Sequence, residues 1–252
     1  MCIRDSNNII LISGNELRRL FKSPLAWIIF SVVQFLVAIF FYMPLMTYLQ
    51  PGSVASGLTN NVVSTMYGFA AYIILIISPL LTMRLFAEER QLGTIKLLFS
   101  SPISITELVL GKFFGIVIFY ILIIAMITLM PASLLFGATL DLGQILSSII
   151  GLCLLATTLV AIGLFFSSLT TSPVIAAVNT YGILFLLLLI KIAASNSSER
   201  TAEIFTYLSL DKHYDNFLNG IFNTIDLFYY ITLSVFFICL CIWRLDIERV
   251  YK

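Results

Sequence analysis

The side chains able to do chemistry in this sequence are few, and most fall in one stretch, RLFAEERQLGTIKLLFSSPISITE, residues 84–107. Arg84, Arg90 and Lys96 are basic there and Glu88 and Glu89 acidic, while Leu85, Phe86, Leu92, Ile95, Leu98 and Phe99 recur near helical spacing. Gly93 divides two short helical pieces and Ser101-Pro102 ends the second, so the spacing predicts helix, kink, helix along a membrane surface. A helix held only by acidic lipid gains from basic residues and loses from Glu88 and Glu89. The carboxylate pair therefore points to a protein partner. The chemistry is docking rather than bond making.

Elsewhere the signals for catalysis are absent. His213 stands alone, with no His-Glu-x-x-His pair and no second titratable group spaced to work with it, and reads as structural. Gly111-Lys112 looks like part of a phosphate-binding loop, but Thr106 stands where that loop needs glycine and Phe113 where it needs serine or threonine. The sequence thus offers no ATP site of its own. Cys153, Cys239 and Cys241 lie in hydrophobic runs, with neither disulfide nor metal spacing. No apolar run carries a charge at its centre, which disfavours an ion-coupled site. Gln34, Gln144 and Asn179 are the polar candidates inside those runs. Such amides usually bond between helices, for about 0.6–2 kcal/mol, and lining a conduction path is their competing role.

The elements that must position these residues are membrane spans. Apolar residues make up 60% of the 252 and the mean hydropathy is +1.05, far above a soluble domain. The fold class expected is all-α integral membrane protein, with six spans near 25–49, 62–83, 108–130, 142–166, 174–190 and 227–243. The opening MCIRDS reads as a foreign leader. Ser13 and Glu16 have capping-box spacing and would open a short interfacial helix, 13–22, carrying Arg18, Arg19 and Phe21. Ser104 and Glu107 repeat that spacing before the third span, whose Gly111-x-x-x-Gly115 invites close helix packing. Residues 195–226 are too long for a turn and predict two short helices resting in the outer interface or dipping into it, as an extracytoplasmic cap.

Six spans leave Lys191, Arg200 and Lys212 outside and the other eleven of the 14 basic residues inside. By the positive-inside rule both termini are cytoplasmic, the chain sits in a bacterial inner membrane, and labels near Gly57 and Ser197 would react from outside while one near Gln91 would not. Ser-Pro pairs at Ser23, Ser101 and Ser172 each precede an outward-going span, as capping expects. The basic residues form no stripe, so nucleic acid is no partner.

In order along the chain, Arg84, Glu88-Glu89, Gly93-Thr94, a Leu-rich turn, Ser101-Pro102 and Leu110-Gly111-Lys112 resemble the type-two ABC transporter permeases, most closely the gliding-motility type of permease subunit. The likeness runs from about Glu16 to the carboxyl end. It includes LSLDKHYDNFLNGIFNTIDLFYY before the last span, which departs from the family at Asp211-Lys212. The resemblance implies one permease domain over 1–252, a role in export, and a second permease copy, identical or related. It also implies that ATP is hydrolysed on a separate cytoplasmic ATPase subunit, with no catalytic residue and no cofactor in this chain. The coupling role then falls on Arg84, Glu88, Glu89, Arg90, Gly93 and Thr94, supported by the helix of Glu16, Arg18, Arg19 and Phe21. An auxiliary extracytoplasmic protein and membrane lipid complete the implied partners. The competing reading is a non-transporting membrane scaffold whose loop binds another protein; a P-loop ATPase in the neighbouring reading frame would favour the permease.

Overall fold

The computed structural model describes residues 2–50, 57–95, 98, 103–135, 140–195, 207 and 209–251. Among them the regular structure is helical, and six helices are long and apolar enough to cross a membrane. The chain is an all-α integral membrane protein. Helix α1 (Cys2–Lys22) is amphipathic, and α2 (Pro24–Tyr48) begins where the sequence places it, with Ser23 Oγ accepting from the Leu25 amide at 3.3 Å and Pro24 in the first helical position. A π-helical turn, Thr59–Val63, leads into α3 (Ser64–Thr82) and then α4 (Arg84–Gln91). The remaining helices are α5 (Ile105–Leu134), α6 (Leu142–Leu169), α7 (Pro173–Ser195), α8 (Leu210–Leu218) and α9 (Thr224–Tyr251).

Helices α3 and α6 have 61% of their most apolar windows buried and α5 has 50%, against 22% for α2, α7 and α9. The first three are therefore the centre of the bundle and the others its rim. Lipid tails are as apolar as leucine, so packing in the centre depends on small residues that let backbones close in. A Cβ on Gly163 of α6 would stand 2.0 Å from Thr82 Oγ1 of α3, and one on Gly151 would stand 2.6 Å from Phe217 Cβ of α8. Gly111 and Gly115 of α5 also serve close packing, but against the amphipathic α1: Cβ atoms there would stand 2.6 Å from Ile12 and 2.9 Å from Glu16.

Two expectations are corrected. The amino-terminal helix does not start at a Ser13 cap. It runs unbroken from Cys2, leaving Ser13 and Glu16 in its interior, where Ser13 Oγ donates to the Ile10 carbonyl at 3.0 Å and Glu16 turns to the bundle. The pattern Ser-x-x-Glu is necessary for a capping box but not sufficient; at Ser104 and Glu107 the reciprocal bonds do form, at 3.2 and 2.8 Å. Likewise α4 is not a separate surface helix, because Met83 keeps helical dihedrals and α4 continues α3 after a one-residue break. The second half of the stretch is described only at Leu92–Ile95, Leu98 and from Ile103 onward. Lys96, Phe99 and Ser101-Pro102 lie outside the described residues, as do the opening Met1, residues 196–206 and Leu208.

Of the cap over 195–226 the structure describes 195, 207 and 209–226, in which the helix α8 packs one face into the bundle. Phe217 sits on Gly151, the Tyr214 hydroxyl donates to the Tyr67 carbonyl at 3.0 Å, and the Leu218 carbonyl accepts from Ser64 Oγ at 3.1 Å and Gln144 Nε2 at 2.8 Å. One face of α8, with Leu210, His213, Tyr214 and Phe217, is buried against the bundle, while Lys212 and Asp215 on the other are exposed.

Candidate functional site

Helix α4 is short and mostly polar, too weak to hold its shape alone. Four neighbouring helices fix it. At its start, the hydroxyl of Ser167 on α6 is inserted into the helical ladder: it donates to the Met83 carbonyl at 3.0 Å and accepts from the Phe86 and Ala87 amides at 3.0 and 3.2 Å. This insertion accounts for the break between α3 and α4. At its end, Gly93 takes φ +71°, which L side chains rarely adopt, and the Thr94 hydroxyl donates to the Glu89 carbonyl at 3.2 Å.

The flank facing α1 and α5 is an ion cluster. Lys112 of α5 is buried, and its ammonium donates to Glu89 Oε1 at 2.6 Å and to the Leu85 carbonyl at 2.9 Å, with Glu16 Oε2 of α1 at 3.6 Å. It also lies 5.3 Å from the centre of the Phe86 ring. Arg19 of α1 donates to Glu88 Oε2 at 2.8 Å and sits 3.9 Å from both Glu89 and Glu16. The two pairs differ in weight. Arg19 is 44% exposed, so water screens its bond to Glu88, whereas the Lys112 side chain is 3% exposed and its carboxylate partners compensate a charge taken out of water. On the opposite flank the buried Arg90 donates to Glu248 of α9, and Arg249 Nη1 donates to the Ile103 carbonyl at 3.4 Å.

The sequence-derived residues thus converge in part. Glu88, Glu89, Arg90, Gly93 and Thr94 shape or brace α4, and Glu16 and Arg19 meet it from α1. Phe21 packs edge-on against Trp27 and Phe119, and its carbonyl accepts from the Trp27 indole at 2.9 Å, which secures the turn into α2. Arg18 is exposed. Arg84 is exposed too and lines a cavity of about 190 Å³ between α1, α2 and α4 with Arg19, Ser23 and Glu88. Glu88 and Glu89 are bonded within the chain rather than held out toward a partner. The exposed tip is Gln91, Leu92, Gly93 and Thr94, with Leu92 68% exposed.

Gln34, Gln144 and Asn179 do not form one group. Gln144 lies in the first turn of α6 and its amide donates to Ser64 Oγ and the Leu218 carbonyl, both at 2.8 Å, anchoring α8. Gln34 lies within α2, its Oε1 buried and without a hydrogen-bond donor, and Asn179 faces outward from α7. Sequence reasoning missed Lys112, Ser167 and Glu248. Lys112 had a signal, a lone lysine between two helix-packing glycines just inside a span; a serine among apolar residues and a terminal glutamate had none.

These features define a polytopic membrane subunit that presents a short, braced helix between its second and third spans. The chain belongs to the ABC-2 family of transporter proteins, whose family model matches residues 10–245. A search of curated proteins found no match. Membership makes the chain a transporter membrane subunit of ABC type.

Proposed function

We propose that the chain is the permease half of an exporter, paired with a second copy or a related permease, and that α4 with the turn after it docks a cytoplasmic ATPase that supplies the work. The observation that carries this reading is the bracing of α4. A displacement applied at the surface reaches the bundle only through an element without slack, and α4 is fixed to α6 by Ser167, to α5 by Lys112, to α1 by Arg19 and to α9 by Glu248. Glu88, Glu89 and Arg90 hold the element in shape, while Arg84, Gly93, Thr94 and exposed Leu92 form its free surface. Gln34 and Asn179 remain the candidates for the translocation path. The gliding-motility likeness of the loop and an auxiliary outer protein belong to this reading as proposals.

The test is co-purification. Leu92→Asp places a charge at the exposed tip, where no packing is lost, and opposing a partner's apolar surface to it can cost several kcal/mol. The variant is expected to lose most of the bound ATPase at normal membrane yield, with Asn219→Asp on the other face unaffected. Equal recovery of ATPase with both variants would sink the docking role.

Orientation is tested separately. With both termini in the cytoplasm of a bacterial plasma membrane, an impermeant thiol reagent applied to intact cells is expected to label Gly57→Cys and Lys212→Cys and to spare Gln91→Cys until the membrane is opened. The opposite pattern overturns the topology.

A further inference from the structure

Helix α9 differs from the other five spanning helices in having neither proline nor glycine along its described length, Thr224–Tyr251. Pro44 lies within α2, Gly68 and Pro79 in α3, Gly111, Gly115 and Pro131 in α5, Gly151 and Gly163 in α6, and Gly182 in α7. Those residues are the usual places for a helix to bend or to give. Helix α9 is therefore the stiffest rod in the bundle, and it carries a buried charged joint at each end.

At the inner end Glu248 holds Arg90 of α4, with side chains 10% and 7% exposed. At the outer end Asp226 uses both carboxylate oxygens on α8, one against His213 Nδ1 at 2.5 Å and one accepting from Asn216 Nδ2 at 2.8 Å. The Tyr230 hydroxyl adds a bond to the Leu210 carbonyl at 2.8 Å. His213 is itself stacked on Tyr229, with ring centroids 4.2 Å apart. Between the joints the rod is tied to α6 at two places: Ser234 Oγ and Thr158 Oγ1 are 2.9 Å apart, with Thr158 also donating to the Tyr230 carbonyl at 3.2 Å, and nearer the inner end the Cys241 thiol makes a long, weak bond to the Leu164 carbonyl at 3.9 Å.

The geometry points to α9 as a lever that carries movement of the docking helix across the membrane to α8, turning about the Thr158–Ser234 contact, with Arg90 and Glu248 as the positioning pair at its driven end. This rests on the proposed docking of an ATPase at α4. From Ser234 the inner arm to Glu248 is about 21 Å and the outer arm to Asp226 about 12 Å at helical rise. A buried ion pair suits the inner joint and a carboxyl group bonded through both oxygens the outer one, because pulling either apart strands buried polar groups, so the partners move together. The route is distinct from spans α3 and α5, which adjoin the docking stretch directly in sequence. It makes α8 an element whose position answers to the nucleotide state.

The experiment uses the full chain assembled with its ATPase in nanodiscs, native cysteines replaced by serine, with spin labels on Lys212→Cys in α8 and Leu49→Cys at the outer end of α2. Trapping with ATP and vanadate is expected to shift the distance between the labels. Glu248→Gln, which keeps the side-chain volume, is compared with the unaltered chain only in complexes isolated with their ATPase, and there it is expected to cut that shift at least twofold. The exchange of charges, Arg90→Glu with Glu248→Arg, is expected to restore it. Asp226→Asn attacks the outer joint independently and is expected to reduce the shift with docking intact. A pair that only stabilised the fold would lower yield and leave the shift whole in the complexes that remain. A full shift in Glu248→Gln and Asp226→Asn overturns the lever, as does an unaltered complex in which the labels do not respond to nucleotide. If the unaltered chain retains no ATPase at all, it is the docking reading that falls.

Discussion

Lys112→Met is expected to lower the unfolding midpoint of the purified protein by on the order of 10 °C, from a loss of about 3–5 kcal/mol. Methionine fills nearly the same volume, so the effect is electrostatic. Without the ammonium, Glu89 loses its 2.6 Å partner and Glu16 its buried counter-charge, leaving both carboxylates with only the partly exposed Arg19 at 3.9 Å among the described residues. The Leu85 carbonyl is also left without its side-chain donor. Glu89→Gln in the same chain removes one stranded charge and is expected to recover part of the midpoint. Thermal scans of the single and double variants in nanodiscs decide the matter: an unchanged midpoint for Lys112→Met, or no recovery in the double variant, removes the cluster from the account of what holds α1 and α4 together.

The second large effect is steric. Gly163→Ala adds one carbon, but that carbon falls 2.0 Å from Thr82 Oγ1 and 2.7 Å from Thr82 Cβ. The threonine cannot swing away easily, being fully buried with its hydroxyl bonded to the Ser78 carbonyl at 2.8 Å. The helices must therefore separate, at a cost of about 1–3 kcal/mol or more. Loss of most monodisperse protein on size exclusion is the expected result. The three nearest atoms all belong to the Thr82 side chain, so Thr82→Gly in the Gly163→Ala background moves the small residue across the crossing and is expected to restore the yield. A well-behaved Gly163→Ala chain would show that α3 and α6 are not packed as closely as described.

The spans were legible because hydrocarbon imposes one dominant requirement, a long apolar helix, and composition reports it directly. Helix starts at Ser23 and Ser104 were legible because capping is local, decided by side chains within three residues of the amides they serve. The same local rule failed at Ser13, where contacts with α5 extend the helix through the cap. Gly111 and Gly115 announced close packing but not its partner, since a small residue records that something approaches and not what. In sequence alone Glu88 and Glu89 point to a separate protein partner, whereas both are bonded within the chain. That their partners are Arg19, 69 residues before Glu88, and Lys112, 23 residues after Glu89, is a property of the folded bundle that no local pattern encodes.

The hydroxyl of Ser167 has a bearing on how α4 can tilt. A helix that bends by itself must stretch or break backbone hydrogen bonds, and in a setting poor in water each orphaned group is costly. Here three groups at the break, the Met83 carbonyl and the Phe86 and Ala87 amides, are bonded to a side chain from another helix. A movement of α4 that carries Ser167 with it keeps all three bonds, whereas one that leaves α6 behind breaks them at a single oxygen atom, so α4 and α6 travel together at this point.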